Sequence, residues 1–122
     1  MGAQLQNWES SIQNVLTGFQ SRRWSDQGSY SQVWFTNCRS SPATGPDSTD
    51  VDLRRDNPGL PDNSWGSKHY TACFGGTTAK SSGQWTNIKT GNQFFQIKKI
   101  NDHTSGHRLG VARVYVDTSK AD

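Results

Sequence analysis

Helix-forming residues are what this 122-residue chain has least of: one glutamate (Glu9), one methionine and six alanines. Alanine and the straight-chain side chains supply most intrinsic helix stability, so their scarcity excludes helical bundles and coiled coils. Apolar residues are sparse too. Only 30% of the chain is AVILMFWYC, and Leu, Ile, Val and Phe together number 20, a level that would suit a disordered chain if the charge were high. It is not high: charged residues make up 19%, with a net charge of +3. No apolar run approaches the roughly 18 residues that a membrane-spanning helix needs, which argues against membrane insertion of that kind. No basic-then-apolar leader opens the chain, so an export signal is expected to lie outside it.

Five Trp, five Phe and three Tyr are present instead, and each can bury a large area, so the expected core is aromatic-rich. Three of the five tryptophans are expected inside, including Trp8 or Trp85. Ser, Thr, Asn and Gln number 43 and Gly adds 12, the profile of short strands joined by turns. Such a hydroxyl- and amide-rich surface is typical of exported proteins. The two cysteines agree with that: Cys38 and Cys73 lie near the ends of strand-like segments, and a bridge between them in an oxidising compartment would add about 3 to 4 kcal/mol through loop closure.

Along the chain, Trp8, Ile12, Val15, Leu16 and Phe19 recur at helical spacing, while the Gln, Asn and Ser between them give a helix little support. Residues 1–17 therefore read as a short helix or an extended arm, with an edge strand of the core as the remaining alternative, ahead of a single domain at 18–122. Alternation then marks strands near 19–24, 30–38, 49–55, 68–74, 83–89, 93–100 and 109–117. Prolines and Gly, Ser and Asp make loops of 39–48 and 56–63, Thr90-Gly91-Asn92 suggests a hairpin turn, and 101–107 joins the last two strands. The expected fold is all-β, a small antiparallel β-sandwich of six to eight strands with one disulfide.

Chemistry is less legible. His103 and His107 flank Thr-Ser-Gly beside Asp102, but Ser105-Gly106 disfavours the helix that would align two histidines four apart on a metal. No metal or other cofactor is expected. His69 lies in another segment, and no nucleophile elbow or metal-protease motif is present, so no catalytic residue is assigned and an enzyme is not expected. The basic residues are scattered rather than clustered, which argues against nucleic acid. Trp24, Trp34 and Trp65 are different: they sit on polar segments and are expected to be exposed, where an indole can stack on a sugar or anchor a protein interface. With Trp8, Ile12, Val15 and Leu16 of the arm, they form the expected partner-binding set.

Three further stretches carry a family resemblance: Gly18-Phe19-x-Ser21-Arg22-x-Trp24-x-Asp26 ahead of a strand ending at Cys38, Pro61-Asp62-x-Ser64-x-Gly66 before Tyr70 and Cys73, and Phe94-Phe95-x-Ile97-x-Lys99-Ile100. Over residues 18–117 the chain resembles small exported proteins of actinobacteria and looks most like the adaptor subunit of secreted umbrella toxin particles. The resemblance implies a compact β domain that joins a repeat-containing toxin polypeptide to a surface-binding lectin subunit, with residues 1–17 as an arm inserted into the partner. The leading expectation is thus a secreted, extracellular, non-catalytic module that binds other secreted subunits. A glycan-binding module that recognises surface polysaccharide is the alternative.

Overall fold

Period-two alternation of β-branched and aromatic residues against polar ones dictates most of the strands, because successive side chains of an extended chain point to opposite faces. The computed structural model describes residues 8–26, 29–43, 45–57, 59, 62–86 and 88–118. Its strands are β1 (Trp8–Leu16), β2 (Trp24–Asp26), β3 (Tyr30–Ser41), β4 (Thr49–Arg55), β5 (Asn63–Tyr70), β6 (Lys80–Thr86), β7 (Gly91–Ile100) and β8 (Arg108–Asp117), with one 3-10 turn at Ala72–Gly75. All pairs are antiparallel and form two four-stranded sheets, β1-β8-β3-β6 and β2-β7-β4-β5. Between them lie Val33, Phe35, Val111, Val114 and Val116 of the first sheet and Val51, Leu53, Phe95 and Ile97 of the second, all essentially inaccessible to water. The fold is the expected all-β, disulfide-bonded sandwich.

Within the segment 1–17, residues 8–16 are neither helix nor free arm. They form edge strand β1 on β8, with Trp8, Ile12 and Val15 opposite Val116, Val111 and Leu109. Two register slips explain the misleading period. Between Ser10 and Ile12 two steps on β1 answer three on β8, and between Ile12 and Val15 three steps answer two. The second slip holds Asn14 at φ 51°, a left-handed conformation that asparagine tolerates better than most residues. Inward positions therefore fall at 8, 12 and 15, a helix-like sequence spacing produced by a bulged strand. Residues 1–7 of the expected arm lie outside the described residues.

A similar shift brings Cys38 inside. Val33 and Phe35 face the core, and strict alternation would send Cys38 outward with Trp34, but Asn37 at φ 57° resets the phase. Cys38 then meets Cys73, which belongs to the 3-10 turn rather than to a strand as the sequence suggested, with 5.2 Å between their Cα atoms. This bridge fastens the β5–β6 connection to the first sheet. Close by, Gly83 is required by packing: a Cβ there would lie 2.8 Å from the Tyr70 hydroxyl and 3.2 Å from the Trp85 ring. The Tyr70 hydroxyl donates to the Val33 carbonyl at 2.7 Å. Burial pushes this phenol well above its usual pKa, against a smaller opposing effect of a backbone bond from Gly83.

Connections depart furthest from expectation. β6 and β7 belong to different sheets, so Gly91 and Asn92 open strand β7 against Asp26 and Ser25 instead of closing a hairpin, and β7 to β8 crosses between the sheets as well. Of consecutive strands, β4 and β5 alone are paired among the described residues. At the start of the β7–β8 connection, reciprocal Ile100–His103 backbone bonds of 3.0 and 2.9 Å enclose Asn101 and Asp102, both at positive φ. Arg39 to Ser41, read from the sequence as loop, extend β3 and pair with Arg108 to Gly110.

Candidate functional site

The seven residues expected to bind a partner do not share a surface. Trp24 is corrected outright: it is only 3% exposed, and its indole donates to the Ser31 hydroxyl at 3.3 Å. Its neighbours in sequence are polar, but β2 turns the ring inward against Trp8, 5.6 Å between centroids. Trp8 is half-buried, stacks on Phe95 at 6.4 Å between ring centres and has the Arg22 guanidinium 5.0 Å from its ring centre. Ile12 is buried, Val15 partly so, and Leu16 is 51% exposed on the strand edge. Trp65 is half-buried on β5, its indole donating to the fully buried Gln93 at 3.0 Å. Trp24 and Trp85 are thus fully buried, and Trp8, Trp34 and Trp65 are partly so.

Trp34 alone of the set stands on an open sheet face. β3 places it directly opposite Tyr115 on β8 and Ser82 on β6, and one step on, Thr36 lies opposite Arg113 and Lys80. Directly opposed residues project to the same side, and the alternating partners Val33, Phe35, Val114 and Val116 are buried, so this set points away from the core. Trp34, Tyr115, Thr36, Lys80 and Arg113 line a shallow depression of about 220 Å³. Arg113 is held by Glu9 on β1, with Nε to Oε2 2.6 Å, and its guanidinium lies 5.9 Å from the Tyr115 ring centre. Both partners of that ion pair are about half exposed, so it orients the arginine more than it stabilises the fold.

Tyr115, Arg113, Lys80 and Thr36 were missed by sequence reasoning. Tyr115 sits between Val114 and Val116 and reads as one more core residue. Its outward direction follows from alternation within β8, but its position beside Trp34 follows only from the register between strands about 80 residues apart in sequence.

The opposite sheet buries its one large outward aromatic. Phe94 is inaccessible although it lies on the outer side, because the Arg23 guanidinium covers it at 3.8 Å from the ring centre. Arg23 is itself held by Asp56, the Ser21 carbonyl and Gln20. Asp52, also outward and buried, accepts from Ser64 at 2.7 Å and Arg54 at 2.8 Å. These pairs satisfy the sheet surface internally and leave it little to offer a ligand.

The histidines gather at one end. His103 and His107 lie 4.6 Å apart by ring centres, but each Nδ1 is engaged by a backbone carbonyl, Asn101 at 2.6 Å and Pro42 at 3.0 Å. Buried Asn101 also takes the Ser48 N–H and donates to Ser40 and Pro42, so this network ties the β3–β4 loop to the β7–β8 connection. His69 is paired with Asp50 opposite it on β4, Nδ1 to Oδ1 2.6 Å, and their ligand atoms lie within 4.8 Å of one on Asp102. That trio, with His69 and Asp102 exposed and Asp50 partly buried, is the group among the described residues with spacing suited to a cation, and the short histidine–aspartate bond occupies the facing atoms. No helix among the described residues is long and apolar enough to cross a membrane.

Comparison with protein-family models, with curated proteins and with solved structures gives no match for this chain.

Proposed function

We propose that this chain is a secreted, non-catalytic glycan-binding module whose recognition surface is the outer face of the β1-β8-β3-β6 sheet. One observation carries the reading: Trp34 and Tyr115 stand side by side, partly buried, on a sheet face otherwise lined by hydroxyl, amide and charged groups, Glu9 among them. A sugar ring offers C–H groups on one face and hydroxyls around its rim, which an aromatic flanked by Thr36, Ser82, Lys80 and Arg113 complements. A protein-docking face wants contiguous apolar surface, and among the described residues Leu16 is the one large hydrophobic side chain classed as exposed. The disulfide and the hydroxyl-rich surface support an extracellular location.

Binding of the isolated protein to immobilised polysaccharides tests this, with Trp34→Ala and Tyr115→Ala expected to weaken capture by about tenfold or more at unchanged melting temperature. Full retention of binding by both variants would sink the proposal. A second reading rests on a different feature. Strand β1 is an edge strand with Leu16 exposed at its end, so an extended segment of another secreted protein could add to it. It would serve an adaptor role like the one that the resemblance to umbrella-particle subunits implies, with the partner adding to β1 instead of residues 1–17 inserting into the partner. Co-purification with a larger secreted protein, abolished by Leu16→Asp and insensitive to Trp34→Ala, would favour it over the glycan reading.

A further inference from the structure

The face that carries Trp34 and Tyr115 has a second, larger feature at its other end. Gly110 on β8 lies opposite Arg39 on β3, and Arg108 opposite Ser41. A side chain at Gly110 would stand 3.7 Å from the Ile12 carbonyl and 3.9 Å from the Arg39 carbonyl, so glycine leaves the surface open there. Beside it, the β1 bulge at Asn14 interrupts regular pairing. The result is a cleft of about 440 Å³ lined by Gln13, Asn14, Arg39, Ser40, Ser41 and Arg108.

Its chemistry points one way. Two guanidinium groups and the Ser41 hydroxyl border the cleft, and among the described residues no carboxylate lines it. Arg108 spends one N–H on the Asn14 carbonyl at 3.2 Å, which leaves most of its five donors, and Arg39 makes no ion pair with any described residue. Guanidinium forks match the geometry of carboxylate and phosphate oxygens, and hydroxyls add neutral donors. Arg39 is five residues along β3 from Trp34, about 17 Å at strand spacing. Between them on the same face stand Lys80 and Arg113, the latter balanced by Glu9.

We propose that the Arg39–Arg108 cleft is an oxyanion subsite, and that the polymer lying across this face is an acidic polysaccharide with carboxylate or phosphate groups. The proposal deepens the glycan-binding reading and rests on it for the polymer, while the cleft's affinity for an anion can be read separately. The aromatic pair holds sugar rings and the arginines hold the charge. Screening by salt then weakens the second contribution and spares the first.

The test compares the unsubstituted 122-residue chain with the Arg39→Ala/Arg108→Ala double variant and with Trp34→Ala. The probes are polygalacturonate as carboxylate polymer, a poly(glycerol phosphate) as phosphate polymer, neutral dextran and duplex DNA. Backbone amide shifts on titration with inorganic phosphate are followed in parallel. The double variant is expected to lose about tenfold or more of its affinity for one or both acidic polysaccharides, without change on any neutral one. Phosphate is expected to move the Ser41 and Arg108 amides. Arg39→Ala alone, whose side chain bonds to no described residue, replaces the double variant if that one unfolds. Undiminished binding of acidic polysaccharide by the arginine variants, or duplex DNA bound as tightly as the acidic polysaccharides, overturns the proposal and leaves the module reading standing. Failure to bind any saccharide overturns both.

Discussion

Removing the disulfide by the double substitution Cys38→Ala/Cys73→Ala gives the stability of this sandwich its most direct test. The bridge spans a sequence separation of 35 residues. Loop-closure entropy for a loop of that size corresponds to about 4 kcal/mol at 25 °C. For a chain of this length, with roughly 2 cal/mol/K of unfolding entropy per residue, such a loss lowers the melting temperature by on the order of 15 °C. Packing adds to the effect, since Cys38 and Cys73 are both buried in the core and the removed sulfur atoms leave space there. Alanine keeps the pair apolar, so no unpaired hydroxyl is introduced. Differential scanning calorimetry of the wild type, the wild type under reductant and the double variant measures it. The two bridge-free forms should melt close together and far below the oxidised protein. A double variant that melts within 2 or 3 degrees of wild type, on the scale of roughly 4 degrees per kcal/mol expected here, would falsify the closure argument.

Three further outcomes follow from named contacts. Tyr70 has its pKa raised by burial, so the unfolded chain releases that proton near its ordinary value of about 10 while the folded chain holds it; its stabilising contribution is complete below that pH and is lost as pH rises above it, by about 1.4 kcal/mol per unit. Urea unfolding at successive alkaline pH values should show this slope in wild type and its absence in Tyr70→Phe, and equal slopes would refute it. Gly83→Ala forces a methyl onto the Tyr70 hydroxyl, which its bond to Val33 holds in place, and should cost about 1 to 3 kcal/mol in the same assay; a neutral result would mean that the ring moves freely. A chain that begins at Thr17 loses the cover of Trp8, Ile12 and Val15 over β8 and should be destabilised by several kcal/mol, with roughly 1.5 to 3 for Ile12 alone; an unchanged melt would show that β1 is dispensable to the core.

Much of the architecture is written in local pattern. Scarce helix formers and abundant turn residues exclude helices, and the alternation of Val51 and Leu53 against Asp50 and Asp52 marks β4 to the residue. Two cysteines near strand ends identify the bridge. Where the sequence misled, a local irregularity or a distant partner was responsible. The β1 bulge at Asn14 helps imitate a helical period, and the left-handed Asn37 carries Cys38 inward against strict alternation. Trp24 stands among polar neighbours and looks exposed, yet the ring is covered by Trp8 and the core. A run such as 90–92 chooses between a hairpin and a crossover by which sheet the next strand joins, and that choice is made by the burial of whole strands rather than by the turn itself.

What the amino-acid sequence determined by itself is therefore whatever depends on neighbours a few positions away: strand identity, turn position, and the class of fold. The tertiary structure alone decided which side chains meet. Trp34, Lys80 and Tyr115 come from three strands, and Arg39 joins Arg108 from 69 positions away by subtraction of their numbers, because antiparallel pairing aligns β6, β3 and β8 in one sheet. Backbone hydrogen bonds set that register without regard to the outward side chains, so no local period in the sequence encodes the face they share.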